Sequence, residues 1–195
     1  MLIKQTVEVS QPLDAVWNFF GDIPQVAACL PGANLNEEVG ENKYQGDVVI
    51  KAGPVKLEFA GLAEIKDRND ATKTITVAAS GADKKGRGEA SMLLGAILTP
   101  SGAGTKVDIS LDLQISGAAA QYGRGLVSDV TSVLVSQFAE SMQGRLSAIA
   151  QGLDPNAVLG AKPASGLAIG LRAIRMGLVR VFSRFFLPYK PQPSR

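Results

Sequence analysis

A serine or cysteine nucleophile needs a neighbouring base, most often histidine, and this sequence contains no histidine at all. Its one cysteine, Cys29, lies between Ala28 and Leu30, the setting of a small buried hydrophobe rather than of an activated thiolate. A single cysteine cannot close an internal disulfide, and a zinc site of the usual Cys/His kind has no ligands to use. The carboxylates that cluster, Glu37-Glu38 and Asp83 beside Lys84-Lys85, fall in stretches read as loops, where charge runs are ordinarily solvated. Ser101-Gly102-Ala103-Gly104-Thr105-Lys106 is glycine-rich, but a phosphate loop must open a helix and this segment leads into a strand. It reads as a hairpin turn. Trp17 is the type of residue that stacks on a ligand or fills a core. The expectation is a non-catalytic chain without a metal site, so function has to be sought in what its elements enclose and touch.

Those elements follow from hydrophobic periodicity. Leu2 to Val9 alternates like a strand, and Ser10-Gln11-Pro12-Leu13-Asp14 reads as a helix start, with Ser10 as cap and Pro12 in the first turn. That helix ends near Gly21, and a second short one follows Pro24 and stops at Pro31-Gly32. From residue 35 to 116 the period is two. Tyr44, Gly46, Val48 and Ile50 share a face; after a Gly53-Pro54 turn, so do Val55, Leu57, Phe59, Ala63 and Ile65. Ile75, Val77 and Ala79 continue the pattern, then Ala90, Met92, Leu94 and Ala96, then Val107, Ile109, Leu111, Leu113 and Ile115. This is a run of antiparallel hairpins with one apolar face. Beyond Gly117 the period becomes helical: Leu126, Val130, Val133, Leu134, Phe138, Met142, Leu146 and Ile149 form a stripe, with Arg124, Asp129, Glu140 and Arg145 on other faces and Gly152 at the end.

The predicted fold class is therefore α+β: a curved antiparallel sheet of six or seven strands gripping one long C-terminal helix. Many inward sheet positions are small, namely Gly46, Gly61, Ala63, Ala79, Gly88, Ala90 and Ala96. Singly such residues permit tight packing or bending; together they leave room for an apolar cavity. The side chains expected to line it are Trp17, Val48, Ile50, Leu57, Phe59, Val77, Met92, Leu94, Ile109, Leu111, Leu126, Val130, Leu134 and Phe138.

Charge divides the chain again. The stretch to Asp154 holds 13 cations against all 18 acids, a net of −5, whereas the remainder holds seven cations and no acid. Within that basic remainder Leu167, Leu171, Ile174, Leu178, Val181 and Phe185 follow at steps of four, three, four, three and four, with Phe182 widening the face. Arg172, Arg175, Arg180 and Arg184 occupy the other half of the wheel. A spanning helix would carry Arg175 and Arg180 near mid-bilayer at about 2.5–3.5 kcal/mol each, so an interfacial helix on anionic lipid is expected instead. Docking on the chain's own domain or on a partner protein is the alternative. Nucleic acid is not expected, since Phe182, Phe185 and Phe186 make the stripe too apolar for a groove reader. Residues 152–165 read as a flexible linker with a reach of about 20 Å.

The residues Val16-Trp17-Asn18-Phe19-Phe20-Gly21-Asp22, Cys29-Leu30-Pro31-Gly32, Tyr44-Gln45-Gly46 with Val48, Gly53-Pro54-Val55 and Phe59-Ala60-Gly61 carry a family resemblance. So do the Gly81-Ala82-Asp83 and Gly86-Arg87-Gly88 turns and Gly117 leading to Gly123. Over about residues 1 to 150 the chain resembles the START and polyketide-cyclase-like helix-grip superfamily, and within it the carbon monoxide dehydrogenase G-subunit branch. That resemblance implies a non-catalytic accessory protein of a carbon monoxide dehydrogenase-type molybdenum hydroxylase, with a membrane-anchoring tail. It also implies an apolar ligand between sheet and helix, for which a lipophilic quinone (menaquinone or ubiquinone) is the natural expectation.

The expected organisation is a helix-grip domain over residues 1–151, a linker over 152–165, a membrane-surface helix over 166–187 and a disordered terminus over 188–195. The start lacks the uninterrupted apolar run of a signal peptide, so a cytoplasmic protein peripheral to the inner face of the cell membrane is expected. Two functions remain in play. One is a quinone-holding protein that recruits the enzyme to the membrane; the other is a protein-only recruitment or maturation factor with a solid core.

Overall fold

A computed structural model describes residues 1–52 and 55–156. The expected Gly53-Pro54 turn, the rest of the expected linker beyond residue 156, the expected 166–187 helix and the expected 188–195 terminus fall outside the described residues.

The chain runs β1 (Leu2–Val9), α1 (Leu13–Phe19), α2 (Ile23–Cys29), β2 (Ala33–Gly40), β3 (Lys43–Ala52), β4 (Val55–Asn69), β5 (Thr74–Asp83), β6 (Glu89–Ser101), β7 (Gly104–Ile115), a 3-10 turn (Gly117–Tyr122) and α3 (Gly123–Ala150). The strands form one seven-stranded antiparallel sheet in the order β1-β7-β6-β5-β4-β3-β2. Five hairpins connect β2 through β7 in sequence, and the first strand returns to pair with the last. A sheet whose one apolar face is continuous must cover it, and α1, α2 and α3 supply the cover.

Local chemistry fixes the helix ends. Asp22 caps α2 by accepting the amide of Gln25, with Pro24 in the first turn. Gly152, at a φ of 70° that side chains rarely adopt, lets the chain leave α3 in a left-handed turn, the Leu153 amide donating back to the Ala148 carbonyl. Ser10 does not cap α1. Pro12, extended at ψ 149°, takes the N-cap position without a side-chain bond, and the Ser10 amide donates instead to Gln143 of α3. Ser10 sits two residues too early for the role.

Two polar stretches also differ from expectation. Glu37 and Glu38 lie on edge strand β2 rather than in a loop, exposed and interrupted by β-bulges, a recognised way to blunt a sheet edge. Asp83 is buried at 4% exposure. It accepts from the amides of Glu58, Lys85 and Arg87 and from the Arg87 guanidinium at 2.8 Å. Arg87 holds its carboxyl well below the usual range. The β5–β6 turn is thereby stapled to β4, and a charge run that looked solvated is structural.

One end of the sheet–helix interface is filled. Val9, Val16, Trp17, Phe19, Cys29, Ile75, Ala96, Leu98, Val107, Met142 and Leu146 form a continuous buried cluster. Fully burying a side chain the size of Met142 contributes about 1.5–3 kcal/mol. Trp17 anchors α1: its indole N–H donates to Asp70 and the Arg68 guanidinium lies 4.5 Å over the ring. Arg68 reaches inward because a bulge between Ile65 and Asp67 shifts the alternation of β4 by one residue. Cys29 is buried and its thiol is pushed up by that burial.

Arg145, expected on an outer face of α3, is 3% exposed. α2 and the chain after Gly152 cover it, and its guanidinium donates to Gln25 and to Asn156 Oδ1 at 3.2 Å. One turn further on, Ile149 is half exposed while Ala148 beside it is buried.

Candidate ligand-binding cavity

Strand alternation sends every second residue of the sheet toward α3, and the pairing register arranges those residues in rows across the strands. Toward the filled end the rows are bulky, as in Ile65–Val77–Leu94–Leu111. Toward the other end they shrink. One row reads Tyr44–Ala63–Ala79–Met92–Leu113, and the next Leu35–Gly46–Gly61–Gly81–Ala90–Ile115. In the second row three adjacent strands present no side chain at all. A Cβ on Gly61 would collide with the carbonyl oxygen of Ser80, and one on Gly46 would lie 2.7 Å from the carbonyl oxygen of Asn34. The sheet creases there so tightly that only glycine fits.

Opposite this crease stands the first half of α3, and the space between is open. The cavity measures about 360 Å³, within the usual range for small-molecule sites. Its walls come from Ala27 of α2 and Leu30 just beyond its end, Ala33 and Leu35 of β2, Tyr44, Val48 and Ile50 of β3, and Leu57, Phe59 and Ala63 of β4. Ala79, Ala90, Met92, Leu113 and Ile115 of β5 to β7 face Leu126, Val127, Val130, Thr131 and Leu134 of α3.

Polar groups are few. The Thr131 hydroxyl is committed to the Val127 carbonyl at 2.8 Å. Asp47 is the one charged residue at the cavity among the described residues, and its carboxylate is taken up by Lys84 at 3.0 Å, which keeps its pKa low. Tyr44 remains. Burial first, and the Glu38 carboxylate second, push its phenol up.

Of the fourteen residues expected to line a cavity, Val48, Ile50, Leu57, Phe59, Met92, Leu126, Val130 and Leu134 stand around this space. The other six are elsewhere. Trp17 is core; Val77, Leu94, Ile109 and Phe138 pack against that core, Phe138 with its ring 6.2 Å from Phe20; Leu111 is buried in the row beside them. Sequence reasoning did not single out Tyr44, Leu113 and Ile115 as lining, although their inward alternation was visible. It also missed Ala27 and Leu30, whose contribution depends on where α2 folds back. The proposed membrane-contact residues, Leu167 to Phe185, lie outside the described residues.

Among the described residues no group of acidic or cysteine side chains could hold a metal ion, and no helix is long and apolar enough to cross a membrane.

Known structures share this architecture. A conserved protein from Geobacillus kaustophilus superposes with a TM-score of 0.69 at 22% identity, covering 75% of this chain and 95% of that one. The Zhui aromatase/cyclase from Streptomyces sp. R1128 gives 0.56 at 15%, covering 77% and 95%. A START superfamily protein from Mycobacterium smegmatis gives 0.54 at 14%, covering 76% and 98%. At such identities the likeness establishes the fold. No curated protein sequence matches the chain. A sequence model of the carbon monoxide dehydrogenase G-subunit family (CoxG) matches residues 6–147, the sheet and nearly all of α3, and the chain belongs to that family.

Proposed function

We propose that this protein is a non-catalytic accessory protein that holds a lipophilic quinone, menaquinone or ubiquinone, between its sheet and α3. In this reading it recruits a carbon monoxide dehydrogenase-type molybdenum hydroxylase to the anionic inner surface of the cell membrane. The observation that carries the ligand half is the cavity, apolar on nearly every wall and floored by main chain where Gly46, Gly61 and Gly81 meet. A factor that bound only protein would have no use for such a space, since unfilled apolar volume costs stability. The family membership supports the partner. The spacing of Leu167, Leu171, Ile174, Leu178 and Phe185 against Arg172, Arg175, Arg180 and Arg184 supports the membrane surface. The lack of histidine leaves serine or cysteine chemistry without its usual base, which supports a holding role.

The test uses the full chain. Protein purified from its native host is extracted into organic solvent, the extract is analysed by mass spectrometry, and the same preparation is floated with anionic liposomes. Near-stoichiometric quinone is expected, together with flotation that a Leu171→Asp, Leu178→Asp double variant loses. A preparation free of lipid that also fails to take up added quinone would favour the protein-only recruitment or maturation factor.

A further inference from the structure

Resting on the reading of the cavity as a lipid site, we propose that the cavity selects neutral lipids bearing a carbonyl oxygen and excludes anionic lipids, with the Tyr44 phenol as the group that reads the carbonyl. Three observations carry this. First, Tyr44 lies at the cavity in a row whose other members are alanine, methionine and leucine, and no hydrogen-bonding partner for its hydroxyl occurs among the described residues. A phenol is donor and acceptor together, and a donor beside apolar walls gains from an acceptor brought in by a ligand. Second, no cation among the described residues lines the space. A carboxylate or phosphate placed there would lose its hydration without a counter-charge, which is far more costly than burying a carbonyl. Third, Glu38 is the direct cross-strand partner of Tyr44, so its side chain stands on the same face at the sheet edge. Its negative charge repels an approaching anion and, after burial, adds to the upward push on the neighbouring phenol.

Fatty acids and phospholipid headgroups therefore lack the counter-charge they need, while a quinone, a ketone or a similar neutral carbonyl lipid finds a donor in Tyr44. The Tyr44 hydroxyl donates; the ring and chain of the ligand fill the space against Phe59, Met92 and Leu134.

Equilibrium dialysis of the full-length protein separates the contributions with three probes. These are a naphthoquinone carrying one isoprene unit, the same skeleton as a naphthalene without the two oxygens, and oleate. The wild type is expected to bind the quinone about five- to tenfold more tightly than the naphthalene, the value of one hydrogen bond, and to bind oleate least. Tyr44→Phe is expected to bring the quinone down to the level of the naphthalene while leaving naphthalene binding and the melting temperature unchanged. Glu38→Gln is expected to raise oleate uptake without affecting the naphthalene. Oleate bound as tightly as the quinone by the wild type, or a Tyr44→Phe protein with undiminished quinone affinity, would overturn the proposal while leaving the lipid site standing. A wild type that binds none of the three probes would overturn the lipid site as well.

Discussion

The two ends of the sheet–helix interface are built from the same strands and the same helix, yet one is solid and the other hollow. Toward the filled end, Ile75, Ala96, Leu98 and Val107 of the sheet meet Met142 and Leu146 of α3, with Val16, Trp17 and Phe19 of α1 wedged between. Toward the open end, Gly46, Gly61, Gly81 and Ala90 face Leu126, Val130 and Leu134 with nothing between them. The difference lies in side-chain volume on the sheet and in the placement of α1, which covers only one end. Stability and ligand capacity are thus divided along the length of α3, with the second half of the helix fixed in the core and the first half acting as a wall.

The sharpest way to break that contrast is to shorten equivalent side chains on the two halves of α3. Met142→Ala opens a void in a packed core and is expected to cost about 2–5 kcal/mol. Leu134→Ala only enlarges a space already open and is expected to cost about 1–2 kcal/mol, less than a packed site would. Urea denaturation of both variants reads the difference. Equal losses would mean that the first half of α3 is packed as tightly as the second.

The converse experiment adds volume. Ala96→Leu, in the filled half, is expected to destabilise by about 1–3 kcal/mol through overpacking. Ala79→Leu, in the hollow half, is expected to leave stability near that of the wild type while abolishing uptake of a quinone probe by dialysis. A stability loss at Ala79 comparable with that at Ala96 would remove the basis for the cavity.

A smaller effect sharpens the picture at the hollow end's margin, where Asp83 neighbours Phe59 in register. Its carboxyl, ordinarily titrating near 3.8, is held lower in the folded chain by Arg87 and three backbone amides. A depressed folded pKa adds stability above about pH 4 that is lost as the pH falls below it. Asp83→Asn is expected to lower the melting temperature modestly at pH 7. The melting temperature of the variant should then fall less steeply than that of the wild type below pH 4, where the two approach each other.

Much of this was readable from residue types. Alternation over 44–50, 57–65, 75–79, 90–96 and 107–115 assigned the inward face, and the long stripe assigned α3, because both signals are local and periodic. The division into a solid and a hollow end was not readable, because alternation tells which face a residue occupies and nothing about its neighbours across the strands. Val77 and Met92 look alike in sequence. Only the register, with Val77 beside Leu94 and Met92 beside Ala79, places the first toward the core and the second at the cavity. Arg145 was misread by its charge: it stands three residues after Met142 and four before Ile149, at the spacing of the apolar stripe, and α2 and Asn156 close over it. Asp83 was misread because its partners, the Arg87 guanidinium and the amides of Lys85, Arg87 and Glu58, converge on it only once the turn has folded back against β4.

The glycine crease has one more consequence. Where Gly46, Gly61 and Gly81 adjoin, a guest molecule would rest on peptide planes whose donors and acceptors are already engaged in the strand ladder. Such a floor is chemically mute and is already as deep as covalent geometry permits, since no smaller residue exists. Variation within this architecture can therefore make the compartment shallower or narrower but cannot deepen it at that point. Adapting it to a bulkier guest would have to proceed through the opposite wall, by substitution at Leu126, Val130 and Leu134 of α3.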